Sequence, residues 1–299
     1  MSPRHSLLAL LVVVIWGANF VIIDAGLVDV PPLVFLALRF VAVCIPAIFF
    51  IKPPTIGWRN ILLIGSFLSL GQFALLYLAL ALGMPPGLAS LILQTQVIFS
   101  IVISALFLRE RPSRRQAIGV LIGMLGLVLV IVGHSASAPW LPLLVVLGSA
   151  LSWAIGNVLS RRSKAASGLG LVVWSGAVVP LPALALAVIV ESPPVVWDAL
   201  THLSIAAILS TLYTAIAASL IGYGIWNTLL ARYPTSAVVP FTLIVPVVGI
   251  VAAWLVQGEV PGALELIGGV VMLSGLAAAV VQWRRRPAAV AAPPPYDES

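Results

Sequence analysis

Long apolar runs separated by short, breaker-rich connections follow one another along the whole chain. A helix needs about 20 apolar residues to cross the roughly 30 Å hydrocarbon core of a bilayer. Proline pairs such as Pro31-Pro32 and Pro53-Pro54 mark several of the connections. The pattern predicts ten membrane-spanning helices, over residues 6–24, 32–51, 60–82, 86–108, 116–133, 140–160, 169–190, 203–229, 235–257 and 264–283.

The composition supports an all-α integral membrane protein. Hydrophobic residues make up 62% of the 299 residues and charged residues 8%, against roughly 25% charged residues in soluble domains. A soluble domain cannot hide that much apolar surface, because it always keeps a large exposed surface. The first run is too long for the core of a signal peptide, so it is expected to stay as the first helix. A single cysteine, Cys44, excludes an internal disulfide.

Basic residues predict the orientation in the membrane. If the N-terminus is cytoplasmic, the cytoplasmic segments hold 14 of the 15 Lys and Arg residues, and the opposite loops hold none. Arg39, the fifteenth, lies inside a span. Under the positive-inside rule this distribution predicts cytoplasmic N- and C-termini. The net charge of +6 then reflects membrane orientation, and binding of nucleic acid is not expected.

An internal repeat connects residues 101–131 with residues 250–280. At an offset of 149 residues, nine of the 31 aligned positions are identical, among them Glu110/Glu259 and Pro112/Pro261. Upstream, Pro85/Pro234 keeps the same offset. Apolar identities are common in such a chain, but a Glu, a Pro and two Gly in register indicate a duplication.

The repeat predicts the domain organisation. Five spans in each half is an odd number, so the second half must enter the membrane in the opposite orientation. We therefore expect two inverted five-helix repeats, at 1–135 and 136–283, and a disordered cytoplasmic tail at 284–299. Inverted repeats of this kind are typical of secondary transporters, whose substrate site lies near mid-membrane between the halves.

Polar and aromatic residues inside the spans are the candidate site. They lie three or four residues apart on one helix face in the first and sixth spans, and cluster again in the third, fourth and eighth. A central cavity with aromatic walls and amide groups would suit a small zwitterion. The alternative is that these residues only join helices or anchor them at the interface. The predicted substrate-binding residues are Trp16, Asn19, Arg39, Tyr77, Gln94, Trp153, Asn157, Tyr223, Trp226 and Asn227.

Arg39 has two interpretations. It lies about eight residues into the second span, where an unpaired charge is costly. Its guanidinium could bind a substrate carboxylate. It could instead form a structural ion pair, with Asp24 at the end of the first span as a candidate partner, or cap carbonyl groups of a broken helix.

The spans lack the groups that other function classes need. No Asp, Glu, His or Lys falls clearly within a span, and no metal-ligand cluster, phosphate-binding loop or nucleophile–base pair is present. We expect no enzyme activity, no cofactor and no bound metal. Coupling to protons would have to use an acid at a helix end, such as Asp24, or the charge of the substrate itself, or be absent.

Several motifs resemble EamA-type transporters of the drug/metabolite transporter superfamily. They are WGANFVI (16–22), PPLVFLALRF (31–40), GMPPGLASLILQTQ (83–96), LSWAIGNVLSRR (151–162) and IGYGIWNTLLARYPTSAVVP (221–240). Among these transporters the chain looks most like bacterial exporters of cysteine, O-acetylserine and other amino acids. The resemblance implies ten helices in two inverted repeats and residence in the inner membrane.

The sequence thus predicts a secondary transporter that exports amino acids by alternating access. Its partners would be a small-molecule substrate and the lipid bilayer, and nothing in the sequence predicts the oligomeric state. Within this class the substrate could be an aromatic amino acid, threonine, methionine, cysteine or O-acetylserine. The alternatives are an exporter of another small metabolite or drug, a channel, or an intramembrane enzyme.

Overall fold

Ten apolar helical spans make up the fold. The computed structural model describes residues 1–135, 140–163, 168–233 and 235–280, and these residues form helices, turns and loops with no strands. This confirms the prediction of an all-α protein with ten spans. The predicted tail, 284–299, lies outside the described residues. The spans are α1 (Pro3–Gly26), α2 (Pro32–Ile48), α3 (Trp58–Ala81), α4 (Pro86–Phe107), α5 (Arg114–Ser135), α6 (Trp140–Ser163), α7 (Gly168–Glu191), α8 (Ile205–Arg232), α9 (Val239–Gln257) and α10 (Ala263–Val280).

Nine of the described helices are long and apolar enough to cross a membrane, and α2 is shorter, with 17 residues. Their starts follow the usual chemistry of helix N-termini. Ser2 and Ser204 cap α1 and α8 by accepting backbone N–H groups through their hydroxyls. Proline occupies the first turn of α2 and α4, where its missing N–H costs nothing.

One helix was not predicted. Pro193–Thr201 forms a short helix between α7 and α8, in a stretch that the sequence analysis treated as a loop. Its two leading prolines act as helix starters rather than breakers, because the first helical turn needs no intrahelical N–H bond. In α7 the helix is interrupted at residues 177–179 and resumes at Pro180.

The repeat at 101–131 and 250–280 includes helices α5 and α10, which pack backbone to backbone. A Cβ atom on Gly126 would lie 2.2 Å from the Met272 backbone nitrogen, and one on Gly275 would lie 2.3 Å from the Gly123 nitrogen. No side chain fits at such positions, so glycine is what allows the two axes to approach. The shared glycines of the repeat therefore serve helix packing.

The two halves also share their irregularities. The π-helical segment Gly65–Gly71 of α3 has a counterpart at Tyr213–Ile221 of α8, and the 3₁₀ segment Leu93–Thr95 of α4 has one at Val239–Ile244 of α9. Positive φ angles occur at Arg109 (53°) and, 149 residues later, at Gly258 (71°). Equivalent loops and helix distortions therefore lie at the same offset as the sequence repeat.

Candidate functional site

A cavity of about 360 Å³ lies among α1–α4 and α6–α9. Eight of the ten predicted substrate-binding residues line it, and two do not. The lining residues that were predicted are Trp16, Asn19, Arg39, Gln94, Trp153, Asn157, Tyr223 and Trp226. Apolar and small polar residues complete the wall, and among the described residues none of its members is an Asp or a Glu.

Three aromatic rings form one side of the cavity. The ring of Trp16 lies 5.1 Å from that of Tyr223 and 5.3 Å from that of Trp226, centroid to centroid, in tilted arrangements. The indole N–H of Trp16 donates a hydrogen bond of 2.9 Å to the Ala218 carbonyl. That carbonyl lies in the π-helical segment of α8, where the irregular backbone offers it to a neighbouring helix. Trp16 thereby joins the first half to the second.

The matching contact in the other half uses a serine. Ser152 of α6 donates from its hydroxyl to the Phe67 carbonyl at 2.7 Å, and Phe67 lies in the π-helical segment of α3. Ser149 makes a similar bond to the Gln72 carbonyl. Each π-helical segment is thus bound by a helix beside the cavity, which fixes the irregular backbone in place.

Arg39 is the only charged residue that the structure places in the cavity wall among the described residues. It is 2% exposed. Its Nη1 donates to the Tyr77 hydroxyl at 2.6 Å and its Nη2 to the Ser219 hydroxyl at 3.1 Å. The guanidinium carbon lies 4.1 Å from the centre of the Phe73 ring, a cation–π distance.

No carboxylate among the described residues forms an ion pair with Arg39. Its candidate partner, Asp24, instead accepts a hydrogen bond of 2.7 Å from the Gln257 amide. The Nε of Arg39 is buried and has no hydrogen-bond partner. Arg39 therefore buries a positive charge without a carboxylate partner and an N–H group without an acceptor. Burying these groups is costly unless a ligand supplies the missing negative charge and acceptor.

Asn19 offers the complementary group. Its side chain is 8% exposed, and its Oδ1 is a buried acceptor without a partner. Asn19 and Arg39 both line the cavity. Buried polar atoms in folded proteins are nearly always hydrogen-bonded. An unpaired donor and an unpaired acceptor on two residues that line one cavity are therefore candidate contacts for a polar ligand.

The remaining amides of the wall are engaged with the protein. Gln94 donates to the Thr242 carbonyl at 3.3 Å, and Asn157 donates to the Gln96 side-chain oxygen at 3.0 Å. The first bond joins α4 to α9 and the second joins α6 to α4. These bonds agree with the alternative that some polar residues join helices. Gln94 and Asn157 line the cavity but hold helices as well.

Tyr77 and Asn227 lie away from the cavity. Tyr77 is fully buried behind Arg39, packed against Phe35 and Phe73 with ring centroids 5.5 and 6.0 Å away. Asn227 follows Trp226 directly, and neighbouring residues of a helix point about 100° apart. Its amide lies against Gly168, where an added Cβ would be 2.5 Å from the Asn227 Cγ.

Several wall residues were not among the predicted substrate-binding residues. Phe73 stacks on the Arg39 guanidinium and Ser219 bonds to it, yet both sit in apolar runs where nothing distinguishes them. Gln96, which lines the cavity and binds Asn157, follows Gln94 by two residues. Among the described residues no group of three or more His, Cys, Asp or Glu could hold a metal.

The EamA-like transporter family model matches this chain twice, at residues 4–132 and at residues 140–281. A solved crystal structure superposes on it with a TM-score of 0.63 at 21% sequence identity, covering 93% of this chain and 99% of the other. At that identity the likeness supports the fold alone.

Two bacterial relatives are similar over nearly their whole length. The probable amino-acid metabolite efflux pump of Salmonella typhimurium (strain LT2) is 40% identical over 96% of this chain and 98% of the relative. A protein of the same description from Escherichia coli (strain K12) is 38% identical over 95% and 98%. A probable terminal-alkyne amino-acid exporter of Streptantibioticus cattleyicolor is 29% identical over 64% of this chain and 63% of the relative.

Proposed function

The chain belongs to the EamA-like transporter family and is a multi-pass membrane protein, and on that premise we propose that it exports amino acids across the inner membrane. The descriptions of its relatives as amino-acid efflux pumps and exporters support this substrate class. The proposed activity is transport without a catalytic step.

The assignment of an amino-acid substrate rests mainly on Arg39 and Asn19, each of which has one buried polar atom without a hydrogen-bond partner. An α-amino acid presents a carboxylate and an ammonium group on one carbon. The Arg39 Nε–H can donate to the carboxylate, and its charge compensates that of the ligand. The Asn19 Oδ1 can accept from the ammonium. Both atoms are buried without protein partners, and the two residues that carry them line the same cavity.

The rest of the wall suits a variable side chain. Trp16, Trp153 and Trp226 and the apolar residues around them supply a broad apolar surface without a further charge. Such a surface accepts side chains of different shape with modest discrimination, because one methylene changes binding by only about 1–3 kcal/mol. We therefore propose a broad range of apolar and small polar amino acids. A cationic drug would call for an acid in the wall.

We further propose that residues 1–135 and 136–283 are inverted repeats that work by alternating access. The shared π-helical and 3₁₀ segments at a common offset support this arrangement. The one-sided distribution of basic residues supports cytoplasmic N- and C-termini. The cavity then lies between the repeats, where secondary transporters bind their substrates.

Efflux from intact cells tests the proposal. Cells that express the chain and are loaded with labelled amino acids, supplied as dipeptides, are expected to release at least one of them several-fold faster than cells that express the Arg39→Gln variant. The two chains must be present in the membrane in equal amounts. Equal release across phenylalanine, methionine, threonine, cysteine and O-acetylserine would contradict the proposal.

A further inference from the structure

Glu110 and Glu259 occupy equivalent positions in the repeat, in the loops that follow α4 and α9. Each follows a residue with positive φ. The Glu110 backbone N–H donates to the Ser104 carbonyl at 3.4 Å, and the Glu259 backbone N–H donates to the Ala253 carbonyl at 3.4 Å. The two bonds are equivalent, because each residue of the second lies 149 positions after its counterpart in the first. The two loops therefore present the two carboxylates in the same local geometry, but the carboxylates have different partners.

Glu259 holds the start of α4. Its Oε2 accepts the Gly87 backbone N–H at 3.3 Å, so a carboxylate of the second half caps the first turn of a helix of the first half. The packing beside it is close, since a Cβ on Gly87 would lie 3.1 Å from the Ile250 Cα atom and one on Gly249 2.5 Å from the Ser90 hydroxyl. We call this end of the molecule, where α4 begins and α9 ends, the outer end.

Glu110 does not make the equivalent contact. At the opposite end, which we call the inner end, its carboxylate pairs with Arg161 of α6 at 2.8 Å. Both side chains are more than half exposed, at 53% and 55%. An exposed ion pair of this kind contributes little stability, so Glu110 can leave Arg161 at small cost.

The two ends differ in burial as well. Every residue of the segment Pro86–Ile92, at the start of α4, is buried. Its counterpart in the repeat is residues 235–241, of which Val238 is buried and residues 237 and 239–241 are partly exposed. The Ser90 side chain is 0% exposed, whereas Val239, 149 residues later, is partly exposed. The start of α4 at the outer end is thus more completely buried than the equivalent stretch at the inner end.

We propose that Glu259 and Glu110 are alternating latches, so that each closes one end of the transport path in one of its two states. In the present state Glu259 caps α4 and closes the outer end. In the opposite state, repeat symmetry places Glu110 on the backbone N–H of Ser236, in the helical turn Thr235–Val238 that leads into α9. Glu110 then leaves Arg161, and Glu259 releases α4. The proposal rests on the alternating access proposed above.

The surroundings of the Glu259 carboxyl group affect its pKa and therefore bear on whether its contact with α4 needs a negative charge. Burial raises the pKa of Glu259, the nearby acids Glu265 and Asp24 add to the rise, and the backbone N–H groups of Gly87 and Leu88 act against it. A neutral carboxyl group still has an oxygen that can accept from Gly87. The contact with Gly87 requires an acceptor oxygen, which an amide side chain also provides. We expect Glu259→Gln to keep the outer end closed and Glu259→Ala to release it.

Cysteine labelling measures both ends without any substrate. Two single reporters, Ser90→Cys and Val239→Cys, occupy equivalent positions at the outer and inner ends. The purified protein is placed in lipid nanodiscs, where both faces are accessible, and the initial rate of reaction with a charged maleimide is measured. The native Cys44 is 4% exposed, so the parent chain provides the background rate.

Glu259→Ala should raise the labelling rate of Ser90→Cys roughly fivefold, the effect of about one lost helix cap, and should lower that of Val239→Cys. Asp29→Asn is the matched control. It removes an exposed acid at the outer end and should leave both rates unchanged. If the Ser90→Cys reporter were labelled no faster in the Glu259→Ala variant than in the parent chain, the proposal would be overturned.

The pair Glu110 and Arg161 gives the sharpest test, because both side chains are more than half exposed. Glu110→Ala removes the latch of the opposite state and should lower the ratio of the Ser90→Cys rate to the Val239→Cys rate. Arg161→Ala frees Glu110 and should raise that ratio. A purely structural ion pair would make the two variants shift the ratio in the same direction, and that result would refute the latch. A failure of amino-acid export would leave this measurement unaffected.

Discussion

Arg39→Gln is expected to lower the initial rate of amino-acid transport by about 30- to 5,000-fold, the range for truncating one partner of a buried charge pair. The reason is that Arg39 has no carboxylate partner of its own among the described residues, so the substrate would supply it. Its Nη atoms already bind Tyr77 and Ser219, and its Nε is left for the ligand. Uptake of labelled amino acid into proteoliposomes measures the loss.

A structural role for Arg39 is separated from substrate binding by an analogue. The amide derivative of the same amino acid lacks the carboxylate and should be a poor substrate of the unmodified protein. In Arg39→Gln the preference for the acid over the amide should fall to about one. Tyr77→Phe, which removes one hydrogen-bond partner of Arg39 but keeps the ring, should lower the rate by less than about tenfold and retain the preference. An unchanged preference in Arg39→Gln would make Arg39 structural.

Asn19→Ala is expected to have the second largest effect, a loss of about 10- to 100-fold in transport. The variant removes the Oδ1 acceptor that would bind the substrate ammonium, and a hydrogen bond to a charged group contributes about 1.5–3 kcal/mol. The α-hydroxy acid with the same side chain carries no ammonium group. Its transport should therefore change little between the two proteins, and this comparison is the measurement.

Asn227→Ala is the matched control for Asn19→Ala. Asn227 is also an asparagine with an unpartnered buried side-chain atom, its Nδ2, but it lies outside the cavity wall. We expect this variant to transport amino acids at close to the unmodified rate. Equal losses in the two variants would show that burial, rather than position in the cavity, decides the effect. That outcome would contradict the assignment of Asn19 to the substrate.

The ten spans could be predicted because a membrane requires long apolar runs and allows few interruptions. The candidate wall residues could be found for the same reason, since Trp16, Asn19 and Arg39 stand out in apolar sequence. The short helix Pro193–Thr201 could not, because a proline pair marks a helix start as readily as a helix end.

The placement of Tyr77 shows a second limit. Hydrophobic periodicity assumes 3.6 residues per turn, but α3 contains the π-helical segment Gly65–Gly71, in which backbone bonds span five residues. Such a segment rotates the residues that follow it relative to those before it. Gln72 and Tyr77 both follow this segment, and five residues of α-helix place them about 140° apart. Gln72 lines the cavity and Tyr77 lies behind Arg39. Ser219 remained unnoticed because only its contact with Arg39, from another helix, makes it significant.

Counterflow in proteoliposomes tests the central claim most directly. Vesicles that contain the purified protein are loaded with an unlabelled amino acid and diluted into the same labelled compound, with phenylalanine, methionine, threonine, cysteine and O-acetylserine tested in turn. We predict transient accumulation of label for at least one of them, because a carrier exchanges substrate across the membrane. This accumulation should be lost in Arg39→Gln. No accumulation for any of the five, or accumulation that Arg39→Gln leaves intact, would contradict the account.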